Sequence, residues 1–159
     1  MVRASTNYTC HKVKKIILDT GGPYIILLLR IITGWRLLAG TWPYLIAEKP
    51  VQEVVDFFQS LTIPLPTISA YVSLYAQCAC GILLIVGWLT RSAAFILAIN
   101  FSVALLAAHL HDPIETSFQA WALWVISLYF LFHGAGNLSM DKLIDWFSFK
   151  WFEIKIDEL

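Results

Sequence analysis

Two arginines, Arg30 and Arg36, stand inside a long apolar stretch of the sequence. Charge within a membrane is costly, so an intramembrane arginine marks a candidate functional site. The guanidiniums could reach the two membrane surfaces by extending along their aliphatic stems. Alternatively they stay buried, and then they need a lipid phosphate, a bound anion, a quinone-type carbonyl or a partner subunit's carboxylate, because no Asp or Glu falls inside the apolar segments.

Gln77 and Asn100 are neutral polar residues near the middle of two further apolar segments. Such side chains can hydrogen-bond between helices and fix their packing. They could instead line a ligand cavity, and Trp35, Arg36, Gln77 and Asn100 together would then form a quinone pocket. Arg30 completes this set of candidates for contact with a quinone, a lipid or a partner.

Metal and thiol chemistry is not expected. His109 and His133 each lie at the end of a segment, and because successive spans run in opposite directions they are predicted on opposite sides of the membrane, so they cannot ligate one metal or haem. Cys78 and Cys80 are two residues apart and diverge on a helix. We expect no cofactor of the chain's own, and at most contact with a quinone, a lipid, or a pigment or haem that partners hold.

These residues must be positioned by membrane helices. Hydrophobic residues make up 58% of the 159 residues and charged residues only 14%, whereas soluble domains carry roughly 25% charged residues. The net charge of zero argues against a nucleic-acid partner. A bilayer takes about 20 apolar residues as a helix, and four segments fit or nearly fit: residues 23–42, 68–89, 92–110 and 118–133. Pro23 suits a helix start.

Two amphipathic segments accompany these spans: residues 50–61 lie between the first and second spans, and residues 138–159 follow the fourth. Residues 50–61 alternate apolar and polar side chains at helical spacing, which is typical of a helix at the membrane interface. The sequence therefore predicts an all-α, integral membrane four-helix bundle with a short interfacial helix between helices 1 and 2. Its parts are an N-terminal arm (1–22), a transmembrane domain (23–137) and an amphipathic C-terminal segment (138–159).

The distribution of basic residues predicts the orientation. Lys49 is the only basic residue in the predicted outer loops, so both termini are predicted to be cytoplasmic. The basic residues on the cytoplasmic side are Arg3, Lys12, Lys14, Lys15, Arg91, Lys142, Lys150 and Lys155.

Small residues recur where helices would meet: Gly34 on the first segment, and Ala94, Ala98 and Ser102 at i, i+4 spacing on the third. Such residues let helices approach closely. They suit packing within this bundle and packing against another protein equally well.

The order of several short motifs resembles the DoxX family of small four-helix bacterial inner-membrane proteins. The resemblance covers about residues 24–145, and its motif residues are Arg30, Gly34, Gly87, Thr90, Arg91, His109, Gly134, Gly136, Ser139 and Asp141. It implies a place in redox machinery, such as the membrane subunit of a thiosulfate:quinone oxidoreductase. Family members usually carry glutamates where this chain has Gln77 and Gln119, so it lacks the obvious proton carriers.

We therefore expect a non-catalytic accessory or structural subunit of a larger inner-membrane complex, in a respiratory or other electron-transfer assembly. Its partners would be membrane lipids and other membrane subunits. The alternative is a quinone-interacting subunit of an oxidoreductase, and a small transporter is a lesser one.

Overall fold

The chain folds into helices joined by short turns. The computed structural model describes residues 2–46, 49–108, 113–144 and 146. Within these ranges there is no strand. The helices are α1 (Val2–Leu45), α2 (Gln52–Ser60), α3 (Pro66–Val86), α4 (Thr90–Ala108) and α5 (Ile114–His133).

Helix α1 begins at Val2 and continues through Pro23, where the sequence suggested a start. A proline disfavours the preceding helical turn without excluding it, so Pro23 alone does not locate the helix end. The predicted 1–22 arm is therefore helical over its described backbone.

Helices α1, α3, α4 and α5 form the predicted bundle, in which α1 packs on α3, α3 on α4 and α4 on α5. Three described segments are long and apolar enough to cross a membrane: Gly22–Leu45, Pro66–Val86 and Thr90–Ala107. Helix α5 is not among these three segments, but it runs alongside α4. Arg91, at the start of α4, donates to the carbonyl of Phe132, and Ser102 farther along α4 accepts from Trp124. Both helices therefore cover the same depth.

The core of the bundle is apolar and lies between these four helices. Its buried members come from α1, α3, α4 and α5: Leu37, Cys80, Leu84, Ala93, Ala94, Leu97, Phe101, Leu123 and Phe130. Many large apolar side chains on the outer helix faces remain exposed. In a membrane protein this outer surface faces hydrocarbon, so it needs no further cover.

Amphipathic α2 packs against α3 and buries Val55, as predicted for residues 50–61. At the other end of the bundle, Gly87 adopts a left-handed conformation with φ of 75° and closes the tight turn from α3 to α4. After α5, Gly134 and Gly136 redirect the chain, and residues 140–144 are helical. The structure describes the predicted amphipathic segment 138–159 only at residues 138–144 and 146, and the rest of this segment lies outside the described residues.

Candidate functional site

Arg30 is buried and makes a network of hydrogen bonds with backbone carbonyls. Only 1% of its surface is exposed. Its Nε donates to the carbonyl oxygen of Leu84 at 2.9 Å, and its Nη2 donates to that of Ile85 at 3.2 Å. Its Nη1 donates to Ala135 at 2.8 Å and to Leu138 at 2.9 Å. Arg30 is therefore enclosed by protein at the end of the bundle where α3 turns into α4, and its guanidinium is not exposed.

The position of these carbonyls explains how a cation is tolerated there. The last four carbonyls of a helix have no intrahelical partner and carry the negative end of its dipole. Leu84 and Ile85 belong to the last turn of α3. The hydrogen-bond partners of the guanidinium are thus a helix C-terminus and the 135–138 loop, and the nearby Asp141 carboxylate also interacts favourably with its charge.

Gly87 leaves the space that the guanidinium fills. A Cβ added there would lie 1.9 Å from Arg30 Nη2, and the φ of 75° independently favours glycine. Gly87 therefore serves both the turn and the burial of Arg30.

The described motif residues of the second half converge at this same end of the bundle. Asp141 accepts from the backbone N–H of Leu89 at 2.8 Å and of Thr90 at 3.2 Å, so its carboxylate caps α4. Its own N–H donates to the Gly87 carbonyl at 3.0 Å. The Ser139 hydroxyl donates to Gly136 and accepts from the Lys142 N–H, which shapes the loop before Asp141. His109 lies outside the described residues.

These elements surround an open polar cavity of about 690 Å³, which we call the basal cavity. It lies between the α3–α4 turn and the chain that follows α5. Its polar lining includes Arg91, His133, Asn137, Ser139, Asp141 and Lys142.

A second cavity, of about 300 Å³, lies under α2 and between α3 and α4. We call it the α2 cavity. Phe57, Phe58 and Phe101 are among its apolar walls, and Ser73, Gln77 and Asn100 provide its main polar surface. The lining is thus mostly apolar with a few polar groups brought together, which is the usual composition of a small-molecule site.

The three polar groups of the α2 cavity are hydrogen-bonded to one another through Ser73. Gln77 Nε2 donates to Ser73 Oγ at 3.1 Å, and Asn100 Nδ2 donates to the same oxygen at 3.1 Å. Ser73 Oγ lies 3.2 Å from Asn100 Oδ1, to which it can donate. Asn100 therefore links α4 to Ser73 on α3, whereas Gln77 bonds to the same hydroxyl within α3, and both amides line the cavity. Ser73 was not among the predicted site residues, although its i, i+4 spacing from Gln77 was a usable signal.

Trp35 and Arg36 do not join this cavity. Trp35 is 69% exposed on the outer face of α1. Arg36 is exposed and its Nη2 donates to Gln119 Oε1 on α5. The structure therefore separates the four residues of the proposed quinone pocket into two pairs.

The predicted small-residue positions are used inside the bundle. A Cβ on Gly34 would lie 2.6 Å from the Gly81 carbonyl oxygen, so glycine permits the close approach of α1 and α3. Ala94 and Ala98 are buried, and Ser102 accepts from Trp124 Nε1 at 2.8 Å.

Comparison with known families identifies the fold. The family model DoxX matches residues 25–110, which is 86 of the 159 residues. The chain belongs to the DoxX family. The match includes Arg30, Gly34, Gly87, Thr90 and Arg91, whereas the motif from Gly134 to Asp141 lies beyond it. Membership of the DoxX family, with the three apolar helices, makes this a multi-pass membrane protein in contact with lipids.

No curated protein sequence and no solved structure matches the chain. The DoxX assignment therefore rests on the family model and agrees with the helical bundle.

Proposed function

We propose that this DoxX-family chain is a non-catalytic membrane subunit that holds a neutral, quinone-type molecule for a larger inner-membrane electron-transfer assembly. The α2 cavity is the observation that carries the proposal. It combines aromatic walls with the hydroxyl of Ser73 and the amides of Gln77 and Asn100.

The polar lining suits both oxidation states of a quinone. An amide offers two N–H donors and a carbonyl acceptor, and a hydroxyl both donates and accepts. A quinone presents carbonyl acceptors, and its reduced form presents hydroxyl donors. The bonds among Ser73, Gln77 and Asn100 use only part of their capacity, so these groups can also bind a ligand.

The same lining argues for binding rather than chemistry. Hydroxyl and amide side chains neither gain nor lose protons at physiological pH. The described lining residues of the α2 cavity include no Asp, Glu, His, Lys or Arg. A bound quinone would therefore exchange electrons and protons with a partner protein, and this requirement supports the assignment to an assembly.

Photolabelling with an azido-quinone tests the proposal, with the full chain reconstituted in lipid nanodiscs and the labelled peptides mapped by mass spectrometry. We expect labelling within residues 57–77 and 100–107, and competition by the unmodified quinone. Gln77→Leu should weaken binding about three- to tenfold, as expected for the loss of one neutral hydrogen bond.

Gln119→Leu is the matched control, because it removes the same side chain at a site bonded to Arg36 instead. It should leave quinone binding unchanged. Labelling spread evenly over the lipid-facing helices, or an equal effect of the two substitutions, would contradict the proposal. Purification of the native protein in gentle detergent tests the assembly: a single 18.0 kDa species without partners would contradict that part.

A further inference from the structure

At the end of the bundle opposite α2, we propose that the basal cavity binds the phosphate group of an anionic membrane phospholipid. The site is formed by Arg91, Lys142 and the first turn of α4, with Thr90 in its lining. It is separate from the α2 cavity, so the two proposals stand independently.

The first turn of α4 offers unpaired backbone donors. The first four N–H groups of a helix have no intrahelical partner, and the helix dipole makes them attractive to anions. Asp141 occupies those of Leu89 and Thr90. The next two N–H groups belong to Arg91 and Ser92, and both of these residues line the basal cavity. They can donate to a phosphate oxygen.

The charges around the cavity favour an anion. Arg91 and Lys142 line it, and both side chains are exposed to it and to solvent. Among the described residues, the Arg91 side chain makes a single long hydrogen bond, 3.5 Å to the Phe132 carbonyl, so its guanidinium can turn toward a ligand. Asp141 is the single carboxylate in the described lining, and both of its oxygens already bind the α4 backbone.

Thr90 provides an independent sign that a polar ligand belongs here. The residue is 0% exposed. Its Oγ1 is the one buried side-chain polar atom without a hydrogen-bond partner in the described part of the chain. A buried hydroxyl without a partner costs free energy. Because Thr90 lines the basal cavity, a phosphate oxygen bound at the α4 N-terminus could accept from this hydroxyl.

The position of the cavity favours a lipid over a soluble anion. It lies where α3 ends and α4 begins, at the end of two membrane-spanning helices. Trp88, Leu89 and Ile144 line it and are exposed. An aromatic and aliphatic rim is typical of headgroup depth and gives acyl chains an apolar surface to contact.

Native mass spectrometry of the full chain in detergent tests the site, with phosphatidylglycerol or phosphatidylcholine added. We expect selective binding of phosphatidylglycerol. Arg91→Gln and Lys142→Gln should each weaken it about tenfold, because each removes a charge-assisted contact to phosphate. Lys49→Gln is the matched control, since this exposed lysine lies at the opposite end of the bundle.

Thr90→Val separates binding from folding. Without lipid, its thermal stability should equal or exceed that of the wild type, because the unpaired hydroxyl is gone, while phosphatidylglycerol binding should fall. Thr90→Ser should keep the binding. Equal binding of phosphatidylcholine, unchanged binding in both charge variants, or full displacement by millimolar inorganic phosphate would overturn the proposal.

Discussion

The two intramembrane arginines have different environments, although the sequence presents them alike. Arg30 uses three nitrogens on four carbonyls from two parts of the chain. Arg36 is exposed and bonds to one side-chain amide. A planar guanidinium can reach carbonyls in several directions, whereas a lysine ammonium is a single point donor. Arg30 is thus a structural cross-link between α1, α3 and the segment after α5.

We therefore predict that Arg30→Lys lowers the free energy of unfolding by about 2–4 kcal/mol, because hydrogen bonds to a buried charge are lost. Thermal unfolding in detergent, followed by far-UV circular dichroism, measures this. Arg36→Lys is the control and should change stability by less than about 0.5 kcal/mol, as is usual for exposed positions. Equal effects of the two substitutions would refute the cross-link.

The partners of Arg30 could not be predicted from the sequence for a physical reason. They are backbone carbonyls, which every residue has, and they become available only because α3 ends at Val86 and Gly87 turns the chain. Gln77 and Asn100 were recognisable as polar residues in apolar segments. The bond of Asn100 to Ser73 depends on how α3 is rotated against α4, which residue type alone does not specify.

At the scale of elements, Asp141 joins two parts of the fold. It caps α4 through its carboxylate and bonds to the α3–α4 turn through its own N–H. We predict that Asp141→Ala costs about 1–2 kcal/mol of stability, as for other N-cap removals. Hydrogen exchange should accelerate most in residues 87–93, because the backbone N–H groups of Leu89 and Thr90 lose their acceptor there.

Asp56→Ala is the control for this prediction. Asp56 is exposed on α2 and only accepts from Gln52 in the same helix, so its removal should change stability by less than about 0.5 kcal/mol. Exchange that accelerates uniformly over all helices after Asp141→Ala would show that Asp141 does not act as a local cap.

The helices differed in how well the sequence predicted them. Amphipathic spacing predicted helix α2, which lies within the predicted residues 50–61. The close α3–α4 hairpin was predicted because two apolar segments follow each other with almost no linker. The start of α1 at Val2 was missed, because a proline permits several positions relative to a helix end. The small-residue stripe on α4 was ambiguous until Ser102 was seen to bond with Trp124.

At the scale of the whole molecule, the membrane crossing of α5 decides the topology. Helix α5 is not among the three segments apolar enough to cross by composition. Its packing along α4 nevertheless requires it to span the same depth, since its end lies beside Arg91 and its middle beside Ser102. We predict that helices α3, α4 and α5 make three crossings between Lys49 and Lys142, so that these two lysines lie on opposite sides of the membrane.

Cysteine accessibility tests this arrangement. In a variant whose Cys10, Cys78 and Cys80 are replaced by serine, we introduce either Lys49→Cys or Lys142→Cys, both at exposed positions. A membrane-impermeant maleimide should label the first from outside in right-side-out vesicles and the second only in inverted vesicles. The side with more basic residues is the cytoplasmic one, and the predicted side of Lys142 carries eight against the single Lys49. Detergent-solubilised samples, in which both must react, provide the control. If both cysteines react from one side, α5 does not cross the membrane. Asp141 would then lie on the same side as α2, which would contradict the predicted topology.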